Sequence, residues 1–475
     1  MRKISILLLV FVILSFTFKP VNAVTPSSFS STVNITNTTN SAGTVTLTYY
    51  NPDGTVAATA DDDIDPYETK WYVTLPGLTT SFSGSMVISS SVQLGSTSTV
   101  IAKNSTGTPF AYASYTGFST GNTKVYLPLL MDSNYGFNTF YSIQNVSTSP
   151  VDVTITYSDG LAIPMVEDLQ PNAAIKIDNK TEAHVAKKFS AILDASGPIA
   201  VTVVEWTDVT KYDPLLSFNG FTDGVTNPIF SMVNQNNYGY WTAIPIQNLG
   251  TTDTNVTVTY TPTKAGTACT ETITIPAEGQ VEFGSYAFVF KYNAATPPYA
   301  GMSSTCLRGK TFVGNAVVTG NSADQPLVGI INQTTTIKPG TDKGGTLMGL
   351  DKATATSTVV FPDVYQWYGT EKWWSSITIS NLSGTTLPIG DITCHAVGTG
   401  PGGLVDLTYS NTTELADTAG WIQDLYDSYG PMPNGFVGGV ICTSATGQIA
   451  GSSNTLGAGL SAALDSYALY EGINQ

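Results

Sequence analysis

The stretch Tyr141–Gly160, YSIQNVSTSPVDVTITYSDG, decides the fold class of this chain. Its first run, YSIQ, alternates apolar and polar residues, and so does its second run, VDVTITY, at 151–157. The residues between them, Asn145–Pro150, have the composition of a turn. A period of two with β-branched residues is typical of half-buried antiparallel strands, so the stretch predicts two strands joined by a turn.

The same pattern recurs along the chain, each time with an asparagine at the end of the first strand. The copies are VNITNTT at Asn37, YSIQNVS at Asn145, IPIQNLG at Asn248 and ITISNLS at Asn381. Each copy is followed by turn signals about every 8–12 residues and by almost no helical periodicity. An internal repeat of short strands predicts an all-β fold of four tandem Ig-like antiparallel β-sandwich domains.

The N-terminus predicts export. Arg2 and Lys3 precede an apolar run, ISILLLVFVILSF, and Ala23 is a small residue suited to cleavage. This is the pattern of a secretory signal peptide, so we expect an extracellular or cell-surface location after cleavage and no integral membrane segment in the mature chain. The predicted divisions are a signal peptide at 1–23, sandwich units at 24–122, 123–224, 225–353 and 354–475, and insertions at 284–311 and 398–434.

Composition excludes some classes of partner. The net charge is -16 and charged residues make up only 11% of the chain, so no basic footprint for nucleic acid exists. The hydrophobic fraction of 42% excludes an intrinsically disordered chain. We therefore expect a neutral, polar surface, and as partners other copies, other cell-surface proteins or polysaccharide.

The four cysteines predict two disulfides, because an exported chain permits them. The sequence-local pairing is Cys269 with Cys306 and Cys394 with Cys442. Zinc is disfavoured, since no CxxC motif is present and the chain has only two histidines. In the repeat alignment, Cys394 is expected in the slot that Tyr157 fills in the second unit.

The motif order also carries a resemblance to a known class of protein. The phrases LPLLM, NYGFNTFYSIQN and VTITYSDG, in that order between 127 and 160, resemble the tandem β-sandwich repeats of secreted cell-surface proteins of filamentous Chloroflexota. The resemblance covers residues 31–475 and implies a structural or adhesive role outside the cell. It transfers no catalytic residues.

Catalytic and metal sites are weakly indicated. His184 and His395 are the only possible histidine bases, and no GxSxG motif accompanies them, so we predict no enzyme activity and no cofactor. The acidic loop Asp61, Asp62, Asp63 and Asp65, with Glu68 beside it, offers oxygen ligands for calcium. The spacing of an EF-hand is absent, and we favour a solvated turn.

Aromatic residues are the better candidates for binding. Trp367, Trp373 and Trp374 crowd the beginning of the fourth unit, and flat exposed rings stack on sugars, so these residues are possible glycan contacts. Trp241 lies seven residues before its anchor asparagine, as Trp374 does. A repeated aromatic position favours packing at a strand end or a joint between units.

Three anchor asparagines, Asn37, Asn145 and Asn381, stand in N-x-S/T sequons. They are possible glycosylation sites. We favour the alternative that each asparagine is a turn former, required for its side-chain hydrogen bond or for a positive φ.

Unit one lacks an opening strand before its anchor. Its sheet edge is therefore expected to be short of one strand. One hypothesis is that the edge is open to strand addition and that the strand-like C-terminal ALYEGINQ, within residues 466–475 of a neighbouring copy, fills the slot. The alternative is a short edge strand in a monomer. The function predicted is a secreted structural protein of the cell surface, sheath or extracellular fibre that projects or self-associates through serial domains. The alternative is a carbohydrate-binding adhesin that uses the aromatics of unit four.

Overall fold

The computed structural model describes residues 25–78, 81–208, 214–289, 299, 301–321, 325–335, 343–457, 465 and 467–475. The predicted signal peptide lies outside these residues. Strands dominate the described chain, and every pair of neighbouring strands is antiparallel. The predicted all-β class is therefore confirmed.

Strand pairing stays within four successive stretches of chain, which we call units 1 to 4. Unit 1 holds β1 (Ser28–Asn37), β2 (Gly43–Tyr50), β3 (Val56–Ile64), β4 (Thr69–Tyr72), β5 (Ser85–Ser90), β6 (Leu94–Lys103) and β7 (Pro109–Thr116). Unit 2 holds β8 (Asn122–Met131), β9 (Phe137–Asn145), β10 (Val151–Tyr157), β11 (Val166–Leu169), β12 (Ala174–Asp178), β13 (Lys188–Thr207) and β14 (Leu216–Asn219), with a 3-10 turn at Asn179–Thr181.

Unit 3 holds β15 (Ile229–Gln235), β16 (Tyr240–Asn248), β17 (Thr254–Ala265), β18 (Cys269–Ile275), β19 (Gln280–Phe283), α1 (Ser285–Phe288), β20 (Ser303–Ser304), β21 (Phe312–Gly320), β22 (Leu327–Thr335) and β23 (Gly344–Met348). Unit 4 holds β24 (Thr358–Gln366), β25 (Trp373–Asn381), β26 (Ile392–Gly400), β27 (Gly403–Ser410), β28 (Gly420–Asp424), β29 (Phe436–Ser444), β30 (Ile449–Gly457), β31 (Tyr467–Glu471) and β32 (Ile473–Asn474), with 3-10 turns at Lys352–Thr354 and Asp427–Tyr429. The domain boundaries predicted from the sequence stay predictions.

The units share one topology. In unit 4 the sheet β27-β26-β29-β24 accompanies the sheet β28-β25-β30-β31, and unit 3 repeats this order as β18-β17-β21-β15 and β19-β16-β22-β23. Unit 4 adds the short strand β32 beside β24, and unit 3 adds the short strand β20 beside β18. In unit 1 the core contains Ile35 from one sheet and Leu47 from the other, both fully buried. Alternating apolar side chains from two sheets thus enclose one core, as in a β-sandwich.

Unit 2 joins its two sheets through one long strand. The first half of β13, around Leu193, pairs with β8 and β10, and the second half, around Val203, pairs with β9 and β14. In each of the other units two successive strands take the place of β13. They are β5 and β6 in unit 1, β21 and β22 in unit 3, and β29 and β30 in unit 4. The seven-stranded sheet of unit 2 is therefore the same sandwich with a continuous strand at its corner.

The four units close into a cycle. Unit 1 contacts unit 2, each later unit contacts the next, and unit 4 returns to unit 1. One hydrogen bond from each joint, starting with units 1 and 2, is Ser217 Oγ to Ser114 O (3.0 Å), Asn332 Nδ2 to Glu205 Oε2 (2.7 Å), Gln333 Nε2 to Tyr467 OH (2.6 Å) and Gln475 Nε2 to Leu94 O (3.2 Å). The sequence suggested serial units, but repeats carry no signal for how they pack, and these units sit side by side around a common centre.

Asp465 of unit 4 lies at that centre and is fully buried. Its N–H donates to the carbonyl of Phe110 in unit 1 (2.8 Å). Its carboxylate accepts the N–H of Leu215 in unit 2 (3.0 Å) and the N–H of Gly344 in unit 3 (3.2 Å). One residue thus bonds all three other units, between the closing strands β7, β14, β23 and β31.

Two sequence expectations about unit 4 need correction. Residues 398–434 are mostly not an insertion, because they form the end of β26, β27 and β28, whose counterparts in unit 3 are β17, β18 and β19. The segment 425–435 connects β28 to β29, as residues 179–187 connect β12 to β13 in unit 2. The long hairpin β26–β27 hid this correspondence in the sequence.

The disulfide of unit 4 occupies a different slot from the one expected. Cys394 faces Cys442, and the matching pair in unit 3 is Val258 facing Val318. Both Cys442 and Val318 follow the first phenylalanine of their strand by six residues. The tyrosine slot is therefore filled by Ala396, and the longer turn after the anchor asparagine of unit 4 caused the misalignment.

Candidate functional site

The open edge predicted for unit 1 is present. Units 2, 3 and 4 begin with β8, β15 and β24, which pair with β13, β21 and β29. In unit 1 the strand that corresponds to β13, β21 and β29 is β5. Within the described residues β5 pairs only with β2. Residues 28–37 are used instead for β1, which pairs with β6 along its full length. Unit 1 therefore has a vacant strand position beside β5.

The C-terminal residues are already used inside their own unit. β31 pairs with β30, and β32 pairs with β24. The expectation that residues 466–475 fill the open edge of a neighbour is therefore wrong, because this segment completes the sandwich of unit 4 and its joint with unit 1.

The three tryptophans do not form one surface. Trp373 turns toward unit 1, where its ring lies 5.4 Å from that of Tyr112. Trp374, its neighbour in β25, turns the other way and meets Tyr426 edge to face at 5.3 Å. Trp367 meets the same tyrosine at 4.8 Å. Trp373 is therefore a joint residue, whereas Trp367 and Trp374 belong to a second cluster.

Sequence reasoning missed the tyrosines of that second cluster. Tyr426 is 38% exposed and Tyr429 is 81% exposed, with their rings 6.4 Å apart. Both come from the segment 425–435, which connects β28 to β29 and carries no strand alternation. The cluster Trp367, Trp374, Tyr426 and Tyr429 is called the aromatic surface below.

The anchor asparagines are buried turn formers. Asn145 Nδ2 donates to the carbonyls of Ser149 and Leu169, both at 2.8 Å, and Oδ1 accepts the N–H of Ser147 at 2.8 Å. Asn37, Asn248 and Asn381 make the same set of bonds in their units. The side-chain bond, and not a positive φ, is therefore the reason for asparagine.

The same geometry bears on glycosylation. A glycan would attach to Nδ2, yet Asn37, Asn145 and Asn381 are fully buried and Nδ2 of each donates to two carbonyls. Asn248 keeps these bonds although Leu-Gly follows it, so no sequon is needed to explain the residue. We infer that the folded chain offers none of these three positions for a glycan.

The acidic residues of unit 1 lie on a strand rather than in a loop. In β3 the side chain of Asp62 turns inward to Lys70 (2.7 Å), and Asp61 and Asp63 are exposed on the other face. Asp65 follows the strand and its N–H donates to Glu68 (2.8 Å). Strand alternation separates the carboxylates, and the described residues contain no group of three or more metal-ligating side chains.

The histidines are engaged in pairs with aspartates. His184 Nδ1 lies 3.1 Å from Asp159 Oδ2, both side chains are buried, and the imidazole stacks on Phe189 at 3.8 Å. His395 Nε2 lies 2.8 Å from Asp406 Oδ1. Within the described chain neither histidine hydrogen-bonds a serine, threonine or cysteine. The prediction of no enzyme activity stays a prediction.

A cleft of about 430 Å³ lies between units 2 and 3, beside the buried histidine. Asp159, Lys188 and Glu278 contribute charged groups to its lining. Lys188 Nζ is already paired with Glu282 across the joint at 2.8 Å. Lys188 therefore serves the contact between the units, whereas Asp159 pairs with His184 within unit 2.

Two buried glutamates have shifted pKa values. Burial raises the pKa of Glu205 to about 8, against a hydrogen bond from Asn332 that lowers it. Burial likewise raises the pKa of Glu271 to about 7, although it accepts hydrogen bonds from Tyr260 and Gly284. Near neutral pH the joint of units 2 and 3 and the core of unit 3 thus hold groups that favour their protonated form.

Both predicted disulfides are present. Cys269 is joined to Cys306 with Cα atoms 4.9 Å apart, and Cys394 to Cys442 with Cα atoms 3.9 Å apart. No helix of the described chain is both long enough and apolar enough to cross a membrane. No protein-family model and no curated protein sequence matches the chain.

Proposed function

We propose that this chain is a structural component of an extracellular or cell-surface assembly, and that its copies associate edge to edge through β5. The vacant strand position beside β5 is the observation that carries the proposal. The location rests on the N-terminal pattern and is in keeping with two disulfides, which persist in oxidising compartments.

Most of β5 lacks the features that normally protect a sheet edge, although Ser85 at its start donates from Oγ to the carbonyl of Asn172 in unit 2 (2.6 Å). Its sequence, SMVISS, contains no charge and no proline. Edge strands β7, β14, β15, β23 and β31 lie against a neighbouring unit, and β20 and β32 are two residues long. Charged residues on the remaining edges are Asp61, Asp62 and Asp63 in β3, Lys70 in β4, Lys124 in β8, Glu167 and Asp168 in β11, Lys176 and Asp178 in β12, Glu282 in β19, Asp406 in β27 and Asp424 in β28.

The backbone of β5 is oriented to pair outward at alternate residues. Ser91 N–H donates to the carbonyl of Thr44 in β2 (3.1 Å), so every second residue of β5 bonds β2. In an antiparallel ladder the backbone N–H and C=O groups of Met86, Ile88 and Ser90 therefore point away from β2. Two copies related by a twofold axis at Ile88 would exchange these groups and keep both cores on one side of a continuous sheet.

A second copy is the partner with a matching edge. The other described edge strands lie against a neighbouring unit, are two residues long or carry charge, so β5 itself is the strand that a copy has to offer. Pairing of β5 with β5 would create one six-stranded sheet from two three-stranded ones.

The test is a double lysine variant, Val87→Lys with Ser89→Lys. Both side chains point away from the core of unit 1, and across the twofold each lysine would face another. We expect the wild-type chain to form dimers or larger assemblies in light scattering and electron microscopy, and the variant to be monomeric with unchanged thermal stability.

The matched control is Ala57→Lys with Thr59→Lys, which adds the same charge to β3 on the opposite edge of the same sheet. It should assemble like the wild type. A wild-type chain that stays monomeric at all concentrations, or a β5 variant that assembles normally, would refute the proposal.

A further inference from the structure

We propose that the aromatic surface of unit 4 is a binding site for an uncharged polysaccharide. The site goes beyond the proposed structural role and does not rest on association through β5. It replaces the trio suggested by the sequence, because Trp373 faces unit 1 and two tyrosines take part instead.

The four rings adjoin one another and differ in how much of each is exposed. Trp367 and Trp374 are partly exposed, and each meets Tyr426 edge to face, at 4.8 Å and 5.3 Å. Tyr429 continues the surface, inclined to Tyr426 by 29° and exposed over 81% of its area. Exposed, neighbouring aromatic faces of this kind mark interaction sites, since isolated hydrophobic residues are common on surfaces but contiguous ring clusters are not.

The segment that presents the tyrosines is held from below by one buried amide. Gln366, 1% exposed, donates from Nε2 to the carbonyl of Asp427 (2.8 Å) and accepts the N–H of Met432 at Oε1 (3.1 Å). Leu425 and Met432 insert into the core of unit 4 on either side. The rings are therefore fixed before a ligand arrives, which reduces the entropy lost on binding.

Two residues at this surface have an unfavourable backbone conformation. Trp367 has φ 51° and Asp427 has φ 47°, in the left-handed region that favours glycine. Ser133 in unit 2 and Asn236 in unit 3 have the same conformation, with φ 53° and 51°, so the conformation of Trp367 belongs to a hairpin that the units share.

Polar groups beside the rings define the class of ligand. Asn434 Nδ2 donates to Asp427 Oδ1 (2.7 Å), and Asp424 Oδ1 accepts the N–H of Tyr426 (3.3 Å). A sugar ring matches this arrangement, since its C–H face stacks on an aromatic ring while its hydroxyl groups bond carboxylates and amides. The flanking aspartates and the net charge of -16 disfavour anionic glycans, so the expected ligand is uncharged.

The test measures retention of the mature chain on insoluble cellulose and chitin, and its migration in gels containing laminarin or arabinoxylan. We expect binding to at least one of these. Tyr429→Ala, at a side chain too exposed to affect folding, should weaken it several-fold, and Tyr426→Ala with Tyr429→Ala should weaken it about tenfold or more, given the worth of stacked rings.

Tyr238→Ala is the matched control, because this tyrosine is 86% exposed on a hairpin of unit 3, away from the aromatic surface. It should bind like the wild type. Absence of binding by the folded wild-type chain to every polysaccharide, equal binding by the double variant, or preferential binding of a proline-rich peptide to the same rings would overturn the proposal. Each of these outcomes is independent of whether the β5 variant assembles.

Discussion

Single buried polar side chains hold this protein together at its turns and joints. The anchor amide of each unit satisfies two carbonyls and one N–H that would otherwise be buried without a partner, and each such group costs about 1–3 kcal/mol if left unpaired. Glu205 likewise accepts a hydrogen bond from Asn332 Nδ2 (2.7 Å), and this bond joins units 2 and 3. Unlike the asparagines, it can ionise.

The raised pKa of Glu205 predicts a pH-dependent stability. Its pKa is about 8 in the folded chain, against an ordinary value of 4.5, so between these limits the folded state keeps a proton that the unfolded state has lost. This contribution to stability is present in full below about pH 4.5 and is lost as the pH rises through about 8. Glu205→Gln, which cannot ionise, should unfold at a higher temperature than the wild type near pH 8.

Thermal unfolding followed by circular dichroism at acidic, neutral and mildly alkaline pH measures this effect. The variant should also lose less stability over the pH range than the wild type does. Glu414→Gln, at an exposed carboxylate, is the control and should follow the wild-type curve. Identical pH dependence in Glu205→Gln and wild type would contradict the assignment.

Individual strands were largely predictable, whereas their alignment between units was less so. Alternation and the anchor asparagine were enough to predict β9 and β10, because both signals are local. The slot of Cys394 was misassigned because a longer turn precedes it, and the role of Tyr426 was missed because no local pattern indicates that its connecting segment meets Trp367 and Trp374. The vacant position beside β5 was predictable, since it follows from the absence of a strand that the other units have.

The disulfide of unit 4 provides a test at this scale. Valine occupies both equivalent slots in unit 3, so Cys394→Val with Cys442→Val should keep the packing and remove only the covalent link. The link closes a loop of 48 residues, which limits the loss of unfolding free energy to about 4 kcal/mol.

The midpoint of guanidinium chloride unfolding should fall for this variant. Reduction of the wild-type chain under the same conditions provides the comparison, and it should lower the midpoint at least as far because it also opens Cys269–Cys306. An unchanged midpoint in the double valine variant would show that the cross-link carries no stability.

For the molecule as a whole, closure of the cycle is the property that no local pattern revealed. The contacts that create it join residues hundreds of positions apart, such as Asp465 with Phe110 and Gln475 with Leu94. A repeated sequence specifies each sandwich but is silent about which faces meet. Apolar clusters cross the joint of units 1 and 2, where Phe110 meets Phe140, and the joint of units 3 and 4, where Leu347 and Leu469 share a core.

Asp465 is the residue on which closure depends most. Asp465→Ala would leave the buried N–H groups of Leu215 and Gly344 without their acceptor, at about 1–3 kcal/mol for each. We expect a lower unfolding midpoint and faster proteolysis at the joints. Asp465→Asn, which keeps one acceptor oxygen, should lose less.

Asp406→Ala is the control, because that carboxylate is 65% exposed and makes an exposed ion pair with His395. It should change stability by less than about 1 kcal/mol. If Asp465→Ala is as stable as this control, the central contacts do not hold the units together.

The position of Asp465 near the end of the chain also sets the order of events in folding. The strands of units 1 to 3 can form from neighbouring residues, but their common centre has to await a residue synthesised after all of them. Contacts between residues so distant in sequence form slowly, because a long chain has to be brought together first. A nascent chain can therefore form its first three sandwiches and the joints between them, whereas closure of the cycle is a late step that a chain truncated before Asp465 cannot reach.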